Sequence, residues 1–193
     1  MQSWQVLPRV SLQRAADISR RFAALGVHTY RDAGRYVHHL PYGRNSDRAN
    51  YRLVLDEGQG TCSTKHALLA QLAREHGLAL ALTLGIYHMT EANTPGVGPV
   101  LDRYGLDSIP EAHCYLRSAR HRIDVTRAGL PSARSVPDFV TEAGILPEQI
   151  GRFKISWHQQ FLRAWRATDA SARRFSFEDI WKIRERCIAA LAQ

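Results

Sequence analysis

A cysteine follows a glycine-containing turn and precedes a strongly apolar helical pattern. Residues 58–61 read Gly-Gln-Gly-Thr, Cys62 comes next, and the apolar pattern covers residues 67–73. Glycines allow the turn and a hydroxyl side chain caps the helix, so Cys62 is predicted in its first turn. Unpaired N–H groups and the helix dipole at that end favour a thiolate and lower the thiol pKa below about 8.5. The stretch therefore predicts a nucleophile, and the alternative is a small buried core cysteine.

A base and a carboxylate that could activate this thiol occur later in the chain. Residues 111–126 contain two short runs around a polar centre, which is typical of a β-hairpin. If residues 118 and 119 form a two-residue loop, Arg117 faces Arg120. Pairing the preceding and following residues in turn then places His113 directly opposite Asp124. The side chains of directly opposed strand residues lie on the same face of the sheet, about 5 Å from each other. A carboxylate at that distance can hold an imidazole in the required orientation. The spacing therefore predicts a Cys62–His113–Asp124 triad, which a register shift of one residue would break.

These residues resemble the transglutaminase-like superfamily, whose papain-like core carries cysteine, histidine and aspartate in this order. The resemblance covers residues 28–127. It implies an α+β fold in which the helix bearing Cys62 packs on an antiparallel sheet bearing His113 and Asp124. Many members carry tryptophan shortly before the aspartate, whereas residues 120–122 are Arg-His-Arg. The packing around Asp124 is therefore expected to differ from that of the family.

The resemblance also implies thiol acyl chemistry. The superfamily includes protein cross-linkers, peptidases, peptide N-glycanases and inactive binding members. In the expected mechanism His113 takes the Cys62 proton, Asp124 orients the imidazolium, and the thiolate attacks an amide or ester carbonyl. We therefore expect a hydrolase or acyltransferase that acts on a peptide, a protein or a small amide or ester. This chemistry requires no cofactor.

Four further side chains are candidates for substrate or oxyanion contacts. The backbone N–H of Cys62 is the first expected oxyanion donor, and Gln59 is the nearest side-chain amide. Tyr42 and Asn45 belong to the turn before the cysteine, a segment that helps line the active site in the resembled family. His66 lies one helical turn after Cys62 and is a rival base, although a base on the same helix points alongside the nucleophile.

Two alternatives come from other classes of protein. A zinc site could use the thiolates and imidazoles of Cys62, His66, His113 and Cys114. Adjacent strand residues point to opposite faces, so positions 113 and 114 should not reach one ion, and no metal is expected. A non-catalytic binding module on the same fold would use its arginines to hold an acidic partner.

Charge and composition narrow the range of partners. The net charge is +8, and 23 of the 26 basic residues are arginine, which suits an acidic substrate or partner. We find no zinc-finger, helix-turn-helix or aromatic RNA-binding signature, so nucleic acid is not expected as a partner.

Residues 1–8 lack the features of a signal peptide, and no apolar run approaches the roughly 18 residues of a membrane span. With only three cysteines, a cytoplasmic protein is expected. The oligomeric state stays open.

The remaining pattern predicts one domain over 1–193, with a helical C-terminal extension over 135–193. A buried strand is expected over 78–87, and a loop over 90–109 contains a short helix at 97–104. The extension would pack back on the domain or form a dimer surface. Apolar periodicity and capping residues predict further helices at 11–25, 32–39, 157–167 and 177–191, and short helices or turns at 136–142 and 146–150.

Overall fold

The computed structural model describes residues 2–13, 16–128 and 138–191. In these ranges the chain has an α+β architecture, with seven α-helices and one sheet of four antiparallel strands. The strands, in the spatial order β3-β2-β1-β4, are β1 (Ala81–Met89), β2 (Ile109–Arg117), β3 (Arg122–Ile123) and β4 (Thr141–Ile145). The helices are α1 (Asp17–Ala24), α2 (Tyr30–His39), α3 (Leu53–Glu57), α4 (Cys62–Glu75), α5 (Gly98–Arg103), α6 (Arg152–Thr168) and α7 (Phe177–Ala190).

Helix α4 lies at the centre of the fold. Every residue from 62 to 70 is buried, and the helix contacts β2, α1 and α2. Because its sequence is rich in alanine and leucine, it can pack against neighbours on several sides. The predicted helix that begins at Cys62 is therefore confirmed. The strand predicted after it is also present, although β1 begins at Ala81 rather than at residue 78.

The first predicted helix is shorter than its apolar periodicity indicates. The pattern predicts a helix over 11–25, but α1 begins only at Asp17. Ser11 instead pairs with Thr29 in a β-bridge. That bridge uses backbone groups that a helix would need, so the tertiary contact overrides the local pattern. Residues 14 and 15 lie outside the described ranges.

The hairpin that carries His113 and Asp124 has a different register from the predicted one. Arg117 pairs with Arg122 instead of Arg120, so four residues rather than two form the loop. Because strand side chains alternate with a period of two, this shift of two residues keeps Asp124 on the face of His113. The strand β3 ends one residue before Asp124, which therefore reaches His113 diagonally and not as its direct cross-strand partner.

The strand β4 was not expected from the sequence. The pattern predicts a short helix or turn over 136–142, and this is wrong for the described part, because Thr141–Ile145 pairs with β1. The free edge of β1 offers backbone donors and acceptors that local propensity cannot anticipate. Positions 136 and 137 lie outside the described residues. The turn predicted at 146–150 is confirmed as a 3-10 helix, Pro147–Ile150.

The C-terminal helices α6 and α7 pack back on their own chain. Helix α6 contacts β2, and α7 contacts α5 and α6. A second apolar core joins Leu162 and Trp165 of α6 to Ile180 and Ile183 of α7. The helices therefore pack back on the domain, which is one of the two arrangements that the sequence left open. None of the helices in the described ranges is both long and apolar enough to cross a membrane.

Glu75, the last residue of α4, caps the start of α1. Its carboxylate accepts hydrogen bonds from the backbone N–H groups of Ile18 and Ser19 at 3.0 and 2.9 Å, and from the Ser19 hydroxyl at 2.5 Å. We expect Glu75→Ala to lower the free energy of unfolding by about 1–2 kcal/mol, because these donors lose their acceptor. Urea unfolding followed by tryptophan fluorescence measures the change.

Glu148→Ala is the matched control for this prediction. Glu148 is exposed and forms an ion pair with Arg74 at 3.3 Å. Such pairs contribute little because water screens them, so the expected loss is below about 0.5 kcal/mol. Equal losses in the two variants would contradict the capping role of Glu75.

Candidate functional site

Cys62 is the first residue of α4 and is buried, with 8% of its surface exposed. Thr61 precedes it in an extended conformation, and the Thr61 N–H donates to Thr64 Oγ1 at 3.0 Å. The thiol therefore lies where helix N–H groups lack partners and the backbone is electropositive. Gly60 pairs with Tyr42 in a parallel bridge, which brings residue 42 beside the start of the helix.

His113 and Asp124 form a direct hydrogen bond. His113 Nε2 donates to Asp124 Oδ2 at 2.7 Å. The other carboxylate oxygen accepts from the backbone N–H and the hydroxyl of Thr126, at 2.9 and 2.5 Å. These bonds orient the carboxylate, which in turn orients the imidazole. Because Nε2 is engaged, Nδ1 is the nitrogen left to exchange a proton with Cys62, whose charge acts on this ring.

Burial and neighbouring charges act in opposite directions on this pair. Burial alone would raise the pKa of Cys62, but the charge of Lys154, followed by that of His113, outweighs it and lowers the pKa to about 6. Burial alone would lower the pKa of His113, but the charges of Asp124 and Cys62 raise it well above its usual value. The arrangement therefore favours a thiolate beside an imidazolium at neutral pH.

His66, the rival base of the sequence analysis, has both ring nitrogens engaged. Its Nε2 accepts the backbone N–H of Val125 at 2.9 Å, so Nδ1 carries the proton and donates to the Cys62 carbonyl at 2.7 Å. Burial lowers the pKa of His66 to about 4, which keeps the ring neutral. His66 therefore acts as a bridge between α4 and the loop of Asp124.

Lys65 makes a second connection between the same elements. Its fully buried ammonium donates to the carbonyl oxygens of Leu40 at 2.6 Å and Thr126 at 2.9 Å. Burial lowers its pKa to about 8 against the opposing effect of Asp124. Since Leu40 immediately precedes the segment of Tyr42, Lys65 holds both the tyrosine segment and the aspartate loop against α4.

An aromatic side chain covers His113. The ring of Phe139 stacks on the imidazole with centroids 6.4 Å apart and planes 18° from parallel, while Tyr87 contacts the imidazole edge-on. Gly85, opposite His113 in the sheet, makes room for Phe139, because a Cβ there would lie 2.2 Å from Phe139 Cδ1. Sequence reasoning expected unusual packing here but did not find Phe139, which lies outside the hairpin.

Lys154 of α6 is the second cation beside Cys62. Its ammonium donates to Ser63 Oγ at 2.6 Å, and the residue is 9% exposed. It is not among the site residues identified from the sequence. A signal was nevertheless present, because the chain has 23 arginines and only three lysines, and Lys65 and Lys154 are both buried here. The Lys154 ammonium carries rotatable donors on a flexible stem, whereas a guanidinium presents its donors in a rigid plane.

An ion pair fixes α7 against the strand of His113. Arg184 donates two hydrogen bonds of 2.5 Å to the carboxylate of Glu111, which lies two residues before His113 on β2. Burial would raise the pKa of Glu111, but the charge of Arg184 outweighs it and lowers the pKa to about 2. A buried charge pair is stable only when complete, so the two elements depend on each other.

A cavity of about 90 Å³ opens beside Cys62. Its wall combines the segment before α3, the first turn of α4, and parts of α6 and α7. One water molecule needs about 10–15 Å³, so the cavity has room for several waters or a small chemical group. A group bound there would lie against the thiol.

The other predicted contacts fall in different places. Tyr42 lines the cavity beside Cys62. Asn45 also lines it, but its Nδ2 donates to the Gln59 carbonyl at 3.0 Å. The side chain of Gln59 is not in the cavity wall, and its Nε2 donates to the Arg44 carbonyl at 2.9 Å. The structure therefore brings Tyr42 to the thiol and uses both amides to shape the preceding loop.

The arrangement does not resemble a metal centre. Among the residues that the structure describes, no three or more His, Cys, Asp or Glu side chains are grouped to hold an ion. Both nitrogens of His66 and Nε2 of His113 are engaged in hydrogen bonds. The zinc site considered in the sequence analysis would have to break these bonds to form.

Comparison with known proteins gives no relative. No family model matches the chain, and no curated protein or solved structure is significantly similar to it. The observations that bear on function are therefore the geometry and charges of this site and the residue pattern of the chain.

Lys154→Met should raise the Cys62 pKa by roughly 1 to 3 units, because it removes a nearby positive charge while keeping the volume of the side chain. The pH dependence of Cys62 alkylation measures this pKa. Lys182→Met is the matched control, since Lys182 is exposed on α7 and lies outside the cavity wall. A Cys62 pKa still near 6 in Lys154→Met would contradict the role of Lys154.

Gly85→Ala should displace Phe139 from His113, because the new methyl group overlaps the Phe139 ring. We expect a loss of about 1–3 kcal/mol in the free energy of unfolding and slower alkylation of Cys62. Urea unfolding and alkylation rates measure the two effects. Gly144→Ala is the control, since a Cβ on that exposed strand residue meets no atom within 4 Å. Normal stability and alkylation in Gly85→Ala would show that Phe139 does not matter to the site.

Proposed function

We propose that the protein is a thiol-dependent enzyme that forms an acyl-enzyme at Cys62 and transfers the acyl group to water or an amine. The observation that carries this proposal is a buried thiol with a pKa of about 6, next to a histidine held by a carboxylate at 2.7 Å. The resemblance to the transglutaminase-like superfamily supports it, and a papain-like arrangement of α4 on the sheet is part of the proposal.

The two other cysteines provide an internal comparison. Cys114 and Cys187 are buried like Cys62, and burial raises the pKa of both, that of Cys187 to about 11. Burial by itself therefore makes a cysteine in this protein less acidic. Only at Cys62 do neighbouring cations reverse the effect, which is expected for a nucleophile and not for a core residue.

In the first half of the reaction the thiolate attacks the carbonyl carbon of an amide or ester. A carbon–sulfur bond forms and the carbonyl electron pair moves to oxygen. His113 then gives the proton on Nδ1 to the leaving amine or alcohol, the carbon–nitrogen or carbon–oxygen bond breaks, and a neutral thioester remains. The hydrogen bond from Nε2 to Asp124 persists throughout, so the ring keeps its orientation.

In the second half His113 acts as a base. It takes a proton from water or an amine as that nucleophile attacks the thioester carbonyl. Collapse of the tetrahedral intermediate breaks the carbon–sulfur bond and releases Cys62 as a thiolate beside the imidazolium. The starting charges are restored, because the proton taken from the nucleophile now rests on His113.

The oxyanion of each intermediate needs donors close to Cys62. The backbone N–H of Cys62 has no intrahelical acceptor because it belongs to the first turn of α4. Tyr42 is the second donor we propose, since it lines the same cavity. Burial, followed by the negative charge of Cys62, raises the Tyr42 pKa, so its hydroxyl keeps a proton to donate.

Alkylation with iodoacetamide, with each cysteine mapped by mass spectrometry, tests the site. We expect Cys62 to react rapidly below neutral pH with a midpoint near pH 6, while Cys114 and Cys187 react slowly. His113→Ala should remove the fast reaction, because the imidazolium that stabilises the thiolate is lost. His121→Ala, which changes an exposed histidine of the hairpin loop, should leave it intact.

A direct test of acyl transfer uses an activated ester. Incubation with p-nitrophenyl acetate should add one acetyl group to Cys62, and the group should be released with time. Asp124→Asn should slow both steps, because the charge that raises the His113 pKa is lost. Slow labelling of Cys62 with an ordinary thiol pH profile would instead favour the non-catalytic binding module, which should bind its partner equally well after Cys62→Ala.

A further inference from the structure

The wall of the cavity beside Cys62 carries more positive than negative charge. It contains two carboxylates against four cationic side chains, which come from the loop before α3 and from α6 and α7. The cations are Arg44, Arg48, Lys154 and Arg184, and the carboxylates are Glu111 and Glu185. Besides these two carboxylates, the thiolate of Cys62 is a third negative group in the wall before a ligand binds.

Both carboxylates already have partners. Glu111 receives two hydrogen bonds from Arg184. Glu185 accepts from Arg44 at 2.7 Å and from Arg184 at 2.5 Å. Neither is hydrogen-bonded to Lys154, whose one hydrogen bond to a described residue goes to the neutral hydroxyl of Ser63. The buried ammonium of Lys154 therefore has donor capacity that the described wall does not use.

The main negative partner of Lys154 is the thiolate itself. Burial would lower the pKa of Lys154, and the charge of Cys62 is the strongest effect that opposes it. When Cys62 becomes a thioester its sulfur is neutral, and the buried ammonium loses this partner. A buried charge without a partner is unfavourable, so a negative group on the bound acyl chain would stabilise the acyl-enzyme.

The remaining wall limits the shape of that chain. Ile150, Ile155, Trp181 and Ile188 give the cavity an apolar side. Its volume of about 90 Å³ is small, so the part of a bound chain next to the thiol is short. An apolar side with a cation at the end next to the thiol fits a short methylene chain that carries a carboxylate.

We propose that this cavity binds an acyl group that bears its own carboxylate, a few carbons from the carbonyl that Cys62 attacks, with Lys154 as the cation that holds it. This substrate class rests on the proposed function, because the carboxylate is placed relative to an acylated Cys62. Arg48 is another cation of the wall; it is exposed and forms an ion pair with Glu185 at 3.7 Å. The carboxylate comes either from a small diacid or from an acidic side chain of a protein substrate.

Two alkylating reagents of equal size test the charge preference. Iodoacetate and iodoacetamide react with the same thiolate, so the ratio of their rates at Cys62 does not depend on the thiolate fraction. In the native protein we expect the iodoacetate-to-iodoacetamide ratio to be about tenfold above that for Cys62 in the urea-unfolded chain. Lys154→Met should return the ratio to the unfolded value. Lys182→Met, which removes one charge outside the cavity, should keep the native ratio.

The outcomes separate this inference from the proposed function. One outcome is fast alkylation of native Cys62 by both reagents, with the same iodoacetate-to-iodoacetamide rate ratio as in the unfolded chain. This outcome would overturn the carboxylate preference but would remain consistent with a thiol enzyme. Slow alkylation by both would overturn the two proposals together. The native ratio needs no variant, so the test stays decisive even where Lys154→Met fails to fold.

Protection experiments then identify the source of the carboxylate. Glutarate should slow the reaction of Cys62 with iodoacetamide, whereas neutral glutaramide should not, if the substrate is a small diacid. Protection only by an acetylated and amidated peptide with one glutamate would assign the carboxylate to a protein side chain. The proposal would be overturned if neither glutarate nor the peptide protected Cys62 and the iodoacetate-to-iodoacetamide rate ratio equalled that of the unfolded chain.

Discussion

The burial of charge around Cys62 is the constraint on which the rest of this site depends. The ionisable side chains of Cys62, His113 and Lys154 are buried, and the partly buried carboxylate of Asp124 accepts a hydrogen bond from His113 at 2.7 Å. Each would be strongly destabilised alone, because the interior does not solvate charge as water does. The four groups are stable only as a set, and their arrangement makes the thiol of Cys62 acidic.

The fold meets this constraint by bringing together elements that are far apart in the chain. Helix α4 supplies the thiol, β2 the imidazole, the loop after β3 the carboxylate, and α6 the ammonium. Lys65 and His66, both on α4, bind the backbone of the aspartate loop, so that loop does not depend on the two-residue strand β3 for its position. The buried helix therefore positions both Cys62 and the loop of Asp124, which orients His113.

The same set of charges links stability to reactivity. The pair of Glu111 and Arg184 holds α7 against β2, and Lys154 holds α6 against the first turn of α4 through Ser63. Loss of α7 would leave the buried carboxylate of Glu111 without Arg184, and loss of α6 would remove the cation beside Cys62. The C-terminal part of the chain is thus a structural component of the site, and the walls of the cavity next to Cys62 depend on it.

Local sequence patterns were sufficient for some of these features. The glycine turn, the capping hydroxyl and the apolar run determined that a helix begins at Cys62. The alternation of the hairpin determined that His113 and Asp124 share a face. That conclusion survived a register error of two residues, because a shift by the full period of a strand leaves every side chain on its original side.

Tertiary structure alone decided the remaining features. Lys154 is 91 residues from its partner Ser63, Phe139 reaches His113 from outside the hairpin, and β4 pairs with β1 across an edge that no local pattern marks. The physical reason is that helical and strand periodicity record which side of an element is buried, but not which distant side chain is buried against it. Only the packing of α6 beside α4 turned a lysine in an arginine-rich segment into the cation that opposes the Cys62 thiolate.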